Sequence, residues 1–154
     1  MSVVLKIGLQ PPDFELRNQH GESVSLSSYR GSRRVVLVFY PYAFSRVCSS
    51  ELHALRDRLP EFANERTQLL AVSCDHMFSL RGFADRDGLG FPLLSDFWPH
   101  GAVSQLYGVF DPQRGCANRG TFILDTSGLL RWSIQHEMPD ARSIEDYKTV
   151  LAGL

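Results

Sequence analysis

The sequence predicts an α/β protein in which a mixed central sheet carries helices on both faces. Two continuous runs of apolar and β-branched residues, 35–40 and 69–73, are typical of strands covered on both sides. A segment with helical spacing of apolar residues follows each run. Paired short strands with turn residues between them occur near both ends of the chain. Alternating strands and helices favour parallel pairing, and the terminal hairpins add antiparallel strands, so the sheet should be mixed.

The first run predicts the central strand and the helix after it. Pro41 ends the strand because proline cannot donate to a sheet ladder. Apolar side chains fall roughly on one helical face from residue 46 to residue 62, which predicts a helix over that range. Pro60 is expected to kink its far end. The apolar positions are Val47, Leu52, Leu55, Leu59 and Phe62.

The remaining elements follow the same alternation. Turn residues at 18–22 predict an amino-terminal hairpin, and Thr126-Ser127-Gly128 predicts a second hairpin between 121–125 and 129–134. The stretch 111–118 is predicted to be turns. A last helix, 143–152, should begin with Ser143 as its cap and Glu145 at the positive end of its dipole. Between the hairpins the patterns predict helices at 77–87 and 102–107 and a strand at 91–94.

Composition restricts the class of protein. A chain of 154 residues with 44% hydrophobic residues is expected to form one domain, 1–154. The net charge of −1, without a cluster of Lys or Arg, offers no handle for nucleic acid or an anionic membrane. The first residues form too short an apolar run for a signal peptide. No later apolar run reaches the roughly 18 residues of a membrane span. We therefore expect a cytoplasmic protein that binds neither nucleic acid nor membrane.

The three cysteines suggest thiol chemistry or packing. An odd number at wide spacing argues against a disulfide scaffold. No CxxC or HxxxH spacing accompanies Cys74, His76 and His53, so the sequence predicts no metal and no cofactor. Cys48 stands in the first turn of the predicted helix, where free amides and the helix dipole favour a thiolate. From position alone, a buried packing cysteine is an equally open interpretation.

The surroundings of Cys48 resemble the peroxiredoxin family. PYAFSRVC fits the pattern PxxxSxxC, in which that family usually has threonine in the middle position, and NRGT is similar to its arginine segment. The segments PPDFEL, VVLVFYP, FPLLSDFWPHGAVSQLYGVF and NRGTFILDTSGLLRW extend the likeness over nearly the whole chain. It is greatest for a one-cysteine, alkyl hydroperoxide reductase E-like subgroup of actinobacteria. The resemblance implies a thioredoxin-like fold and a thiol-dependent peroxidase.

The resemblance also implies a role for each motif residue. Cys48 is similar to the peroxidatic cysteine, which attacks the peroxide and becomes a sulfenic acid. Ser45 should supply the hydroxyl that bonds thiolate and peroxide, and the ring of Pro41 should shield the pocket. Arg119 should hold the thiolate and donate to the peroxide. The amides around Val47 and Cys48 are expected to act as further donors.

Neighbouring residues are expected to complete the pocket and the assembly. Phe39 and Phe44 are predicted as apolar walls beside Val47, and Trp98 as a residue bordering the pocket or a dimer contact. Family likeness suggests a homodimer.

The sequence favours recycling of Cys48 by an external thiol. Position 53, where some relatives carry a resolving cysteine, is His53, and no cysteine follows Cys116. The expected reductants are a low-molecular-weight thiol with a glutaredoxin-like protein, or thioredoxin. Cys116 stays a minor candidate for resolution, and Cys74 is expected in the core.

Two other functions compete with a peroxidase as interpretations of the sequence. A disulfide oxidoreductase is disfavoured because the tetrad at Cys48 reads CSSE and lacks a second cysteine. A peroxide-sensing or binding protein without rapid turnover stays open, since sequence cannot separate fast oxidation from slow oxidation.

Overall fold

The computed structural model describes residues 5–136 and 144–154. The strands are β1 (Glu15–Arg17), β2 (Ser23–Ser25), β3 (Arg34–Phe39), β4 (Thr67–Ser73), β5 (Leu93–Ser95), β6 (Phe110–Asp111), β7 (Cys116–Ala117), β8 (Arg119–Leu124) and β9 (Leu130–His136). The helices are α1 (Arg46–Asp57), α2 (Leu59–Phe62), α3 (Met77–Asp87), α4 (Ala102–Leu106) and α5 (Ile144–Ala152), with a 3₁₀ helix at Leu26–Tyr29.

Seven strands form one mixed sheet in the order β2-β1-β5-β4-β3-β8-β9. β3, β4 and β5 run parallel, as the helices between them allow. β1–β2 and β8–β9 are antiparallel hairpins joined to the two sides of this parallel centre. The predicted mixed sheet with a hairpin at each end is confirmed.

Apolar side chains cover both faces of the sheet because neighbouring residues of a strand point to opposite sides. Val36 and Val38 of β3 pack on one face with residues of α1, α3 and α5. Val35, Leu37 and Phe39 pack on the other face with α4 and the 3₁₀ helix. The helices thus lie on both faces, as the sequence predicted.

Two predicted elements differ from the structure. The single helix expected over 46–62 is two helices, because α1 ends at Asp57 and α2 begins at Leu59. Pro60 lies in the first turn of α2, where a helix needs no backbone N–H donor, so it starts a helix and does not kink one. The stretch 111–118, predicted as turns, contains the short pair β6–β7. The predicted cap Ser143 lies outside the described residues.

The pairing of β3 with β8 determines where the two ends of the candidate site meet. The two strands are antiparallel, with Phe39 opposite Gly120. The start of β8 therefore lies beside the end of β3, from which the chain passes through residues 40–45 into α1. Residues 48 and 119 are brought to the same edge of the sheet by this register.

Candidate active site

The loop before α1 is tied to the end of the neighbouring strand. The backbone N–H of Ala43 donates to Asp75 Oδ2 at 2.8 Å. Ser73, the last residue of β4, donates to the same oxygen at 2.7 Å. Pro41, at the start of the loop, is buried. A carboxylate after β4 thus holds the loop that leaves β3.

Ser45 is the residue directly before α1, and its side chain bonds the Cys48 backbone. Its extended backbone (φ −71°, ψ 148°) makes it the N-cap, and its Oγ accepts a hydrogen bond from the Cys48 N–H at 3.3 Å. This capping satisfies one of the amides that a helix start leaves without a partner. The Cys48 amide thus bonds Ser45 in this structure, and its expected role as a donor to peroxide stays a prediction.

Cys48 and Arg119 are buried together. The sulfur is fully buried, and Arg119 is 2% exposed. The two terminal guanidinium nitrogens, Nη1 and Nη2, lie 3.8 and 3.7 Å from Cys48 Sγ. The guanidinium at this distance and the amino-terminal end of α1 both place positive electrostatic potential at the sulfur.

Glu51 forms an ion pair with the buried guanidinium. Its Oε1 accepts from Arg119 Nη1 at 2.7 Å, and both side chains are less than 5% exposed. A buried arginine without a carboxylate partner would be costly. Glu51 was not among the predicted site residues, although its position three residues after Cys48 puts both on one face of α1. An acidic residue on an otherwise apolar helix face is the signal that could have revealed the pair.

The other two cysteines lie in different surroundings. Cys74 is buried, and its Sγ is 3.8 Å from Ser104 Oγ. Burial raises the pKa of the Cys74 thiol to about 12. Cys116 is buried in β7, and burial raises its pKa as well, although a hydrogen bond with Tyr42 opposes that shift. Both groups are therefore held as neutral thiols at physiological pH.

The remaining predicted pocket residues are spread over three places. Phe39 packs against Tyr107 and Phe122 on the opposite face of the sheet from Cys48, with ring centroids 5.4 and 5.7 Å apart. Its assignment as a pocket wall was wrong, because alternation along β3 turns its ring away. Phe44 is partly exposed in the loop before Ser45. Val47 lies in the first turn of α1, and its side chain is outside the described part of the structure.

Trp98 lies on the surface, 82% exposed. It lines a shallow pocket with Arg17, His76 and Met77, between β1 and the start of α3. The lining of that pocket includes neither Cys48 nor Arg119. The predicted place of Trp98, at the border of the active-site pocket or in a dimer contact, therefore stays a prediction.

Residues 5–136 and 144–154 contain neither a cluster suited to hold a metal ion nor a helix suited to span a membrane. They contain no group of three His, Cys, Asp or Glu side chains placed to hold a metal ion. No helix in these ranges has the length and apolar character needed to cross a bilayer.

The fold and the site together define a class of protein. A buried cysteine lies at a helix start beside the central strand of a mixed sheet, under a guanidinium and capped by a hydroxyl. Such an arrangement activates a thiolate and offers donors to an oxygen that gains charge. It is the site of a cysteine-dependent redox protein.

Comparisons with known proteins specify the family. The AhpC/TSA family model matches residues 7–133. Alkyl hydroperoxide reductase E of Mycobacterium tuberculosis is 47% identical over 151 residues, covering 98% of this chain and 99% of that protein. The chloroplastic 2-Cys peroxiredoxin BAS1 of Hordeum vulgare is 35% identical over 158 residues, covering 96% of this chain and 74% of that protein.

A solved structure agrees with these sequence relatives. The crystal structure of peroxidoxin BcpB from Mycobacterium tuberculosis has a TM-score of 0.86 and 29% identity, and covers 98% of this chain and 99% of that chain. The protein described here belongs to the AhpC/TSA family of peroxiredoxins and has their thioredoxin-like fold. The activity of this class is thiol-dependent reduction of peroxides.

Proposed function

We propose that this chain is a one-cysteine peroxiredoxin in which Cys48 reduces hydrogen peroxide and organic hydroperoxides. The observation that carries the proposal is the placement of both terminal nitrogens of Arg119 within 3.8 Å of the buried Cys48 sulfur. Membership of the peroxiredoxin family supplies the reaction class. The proposal adds which sulfur reacts and which groups assist it.

The chemical step transfers two electrons from sulfur to the peroxide. The Cys48 thiolate attacks one peroxide oxygen, an S–O bond forms and the O–O bond breaks. The leaving hydroxide or alkoxide takes up a proton and departs as water or an alcohol, and Cys48 becomes a sulfenic acid. Both peroxide oxygens change charge during this step, so donors placed around them accelerate it.

Three groups are suited to be those donors. Arg119 presents guanidinium N–H groups at the sulfur, where an attacked oxygen must arrive. The Ser45 hydroxyl accepts from the Cys48 amide and can donate its own hydrogen outward. The Val47 amide belongs to the first turn of α1, whose N–H groups have no partner within the helix. Glu51 keeps the guanidinium oriented.

An external thiol is the proposed reductant. It attacks the sulfenic sulfur, water leaves, and a second thiol releases Cys48 from the mixed disulfide. Burial and a raised pKa make Cys74 and Cys116 poor attacking thiols in this conformation. We keep both reductant systems, a low-molecular-weight thiol with a glutaredoxin-like protein and thioredoxin, and retain Cys116 as a minor candidate for resolution.

Exposed aromatic side chains support a homodimer. Phe78 is 71% exposed, and His76 links its ring to that of Phe97, next to Trp98. Contiguous exposed aromatic surface commonly marks an interface. We further propose that residues 1–154 act as one domain in the cytoplasm, where cellular thiols keep the enzyme reduced.

Mass spectrometry of each cysteine after one equivalent of hydroperoxide tests the function. We expect one added oxygen on Cys48, none on Cys74 or Cys116, and loss of that oxygen when a reducing thiol is added. Stopped-flow measurement of the oxidation rate accompanies it. Slow oxidation of Cys48 would favour a peroxide sensor, and an intramolecular disulfide trapped on a non-reducing gel would contradict the one-cysteine cycle.

A further inference from the structure

The residue before the N-cap of α1 has an unusual backbone. Among the described residues other than glycine, only Phe44 has a positive φ, at +67°. A bulky side chain is rarely found in this left-handed region, and it stays there only where its surroundings hold it. Phe44 lies four residues from Cys48 and directly precedes Ser45. Its conformation sets the direction in which the chain enters the reactive helix.

The ring of Phe44 is held by one face of α3. It packs on Phe83 with ring centroids 5.1 Å apart, and the Arg86 guanidinium lies 4.7 Å from its centroid. Gly82 lies under the tip of the ring, since a Cβ added there would be 3.7 Å from Phe44 Cζ. The ring therefore lies between an aromatic side chain and a cation, although Phe44 stays 45% exposed.

Arg86 is itself fixed in place by Asp87. Its Nε and Nη2 donate to Asp87 Oδ1 and Oδ2 at 2.6 and 3.1 Å. The same carboxylate, 6% exposed, bonds His53 Nε2 of α1 at 2.9 Å. The end of α3 therefore holds the loop through Phe44 and the middle of α1 through His53.

We propose that Arg86 and Phe44 are positioning residues for the reaction of Cys48. Three consecutive loop residues are anchored by different elements. Asp75 holds Ala43, α3 holds Phe44, and the Cys48 amide bonds Ser45. The contact of Arg86 with Phe44 maintains the entry direction that places the Ser45 hydroxyl on the first turn and the sulfur beneath Arg119. This inference rests on the proposed function and adds two residues to it.

Arg86→Ala and Arg81→Ala form a matched pair for the test. Arg81 lies on the same helix and is similarly exposed, but it pairs with Asp85 at 4.0 Å and does not stack on the Phe44 ring. We expect Arg86→Ala to slow the oxidation of Cys48 by hydrogen peroxide about two- to fivefold, the size of one lost cation–π contact at an exposed site. Arg81→Ala should react at the rate of the unmodified protein. Equal rates in the two variants would overturn the proposal.

A double-mutant cycle separates positioning from general loosening. If the cation acts through the ring, Phe44→Leu and Arg86→Ala should each slow oxidation, and the double variant should be little slower than the slower single variant. Arg86→Lys, which keeps a cation, should recover part of the rate, and Arg86→Gln should not. Independent, multiplying effects, or equal rates for Arg86→Lys and Arg86→Gln, would contradict the inference.

Two controls keep the outcomes distinct. Unfolding midpoints and size-exclusion profiles show whether each variant keeps its fold and oligomeric state, so that only folded variants of equal size are compared. If the unmodified protein shows no oxidation of Cys48, the proposed function fails. If it reacts rapidly and the Arg86 variants react equally fast, only the positioning inference fails.

Discussion

Cys48 and Cys74 follow two neighbouring parallel strands at the same edge of the sheet, and both are buried. Cys48 meets a guanidinium and lies in the first turn of a helix. Cys74 meets the Ser104 hydroxyl, and burial followed by the nearby Asp96 carboxylate raises its pKa to about 12. Burial alone therefore keeps a thiol neutral. A reactive buried thiol requires a cation and oriented dipoles that offset the loss of water.

The largest expected difference is in peroxide consumption between variants of Cys48 and variants of Cys74. Cys48→Ser should abolish peroxide consumption, because a serine hydroxyl is not a thiolate nucleophile at neutral pH. Cys74→Ser should keep full peroxide turnover with an external thiol, and Cys116→Ser serves as a second matched control. Peroxide consumption is measured under steady-state conditions. Unchanged turnover in Cys48→Ser would remove the basis of the comparison.

Removal of the cation should make Cys48 resemble Cys74. Arg119→Ala should slow Cys48 oxidation by about 10²–10³, the usual cost of losing a charge-stabilising donor. It also leaves Glu51 buried without its cation, which costs about 3–5 kcal/mol in the free energy of unfolding. Adding Glu51→Gln should recover stability but not rate. Arg114→Ala, which removes an exposed arginine paired with Asp111, is the control.

The helix cap is expected to have a smaller effect. Ser45→Ala removes the oxygen that accepts from the Cys48 amide, so we expect about 1 kcal/mol lower stability. Loss of the hydroxyl donor should also slow oxidation about tenfold or more. Ser45→Thr keeps the oxygen and should retain both properties. Stopped-flow oxidation and chemical unfolding measure the two effects, and equal behaviour of the alanine and threonine variants would argue against the hydroxyl.

The Cys74 thiol should contribute to the loss of stability at alkaline pH. Its pKa is about 12 in the folded protein and near 8.5 when unfolded, so the folded state holds the proton more tightly. The stability from this group is complete below about pH 8.5 and is lost as pH rises toward 12. One thiol contributes a slope of at most about 1.4 kcal/mol per pH unit, and solvent screening reduces it. In Cys74→Ala, the free energy of unfolding should therefore fall less steeply between about pH 9 and pH 11 than in the unmodified protein. Chemical unfolding at several pH values in this range measures the difference.

Much of the fold can be predicted from local sequence patterns. The apolar runs that form β3 and β4 were found because strands covered on both faces have a continuous apolar sequence. The division of the long helix at Arg58 was missed, since apolar spacing continues across the break and only Pro60 marks it. The pair β6–β7 was missed because two-residue strands have no periodicity to detect.

The candidate site was likewise predicted in part from the sequence. The motif around Cys48 and the arginine segment identified Cys48, Ser45 and Arg119, which the structure brings into contact. Phe39 was wrongly assigned to the pocket because nearness in sequence to Pro41 says nothing about the side of the sheet on which a ring lies. Glu51 was missed because its importance depends on a partner 68 residues away.

Local sequence was enough to predict the alternation of strands and helices and the position of Cys48 at a helix start, because both depend on residues close together in the chain. Long-range packing brings Arg119 and Glu51 together over the sulfur and holds Phe44 against Arg86 in the left-handed region. These contacts depend on the register of β8 against β3 and on the packing of α3 against the loop. Burial then gives each contact its chemical effect, since charges and dipoles act most strongly where water is excluded.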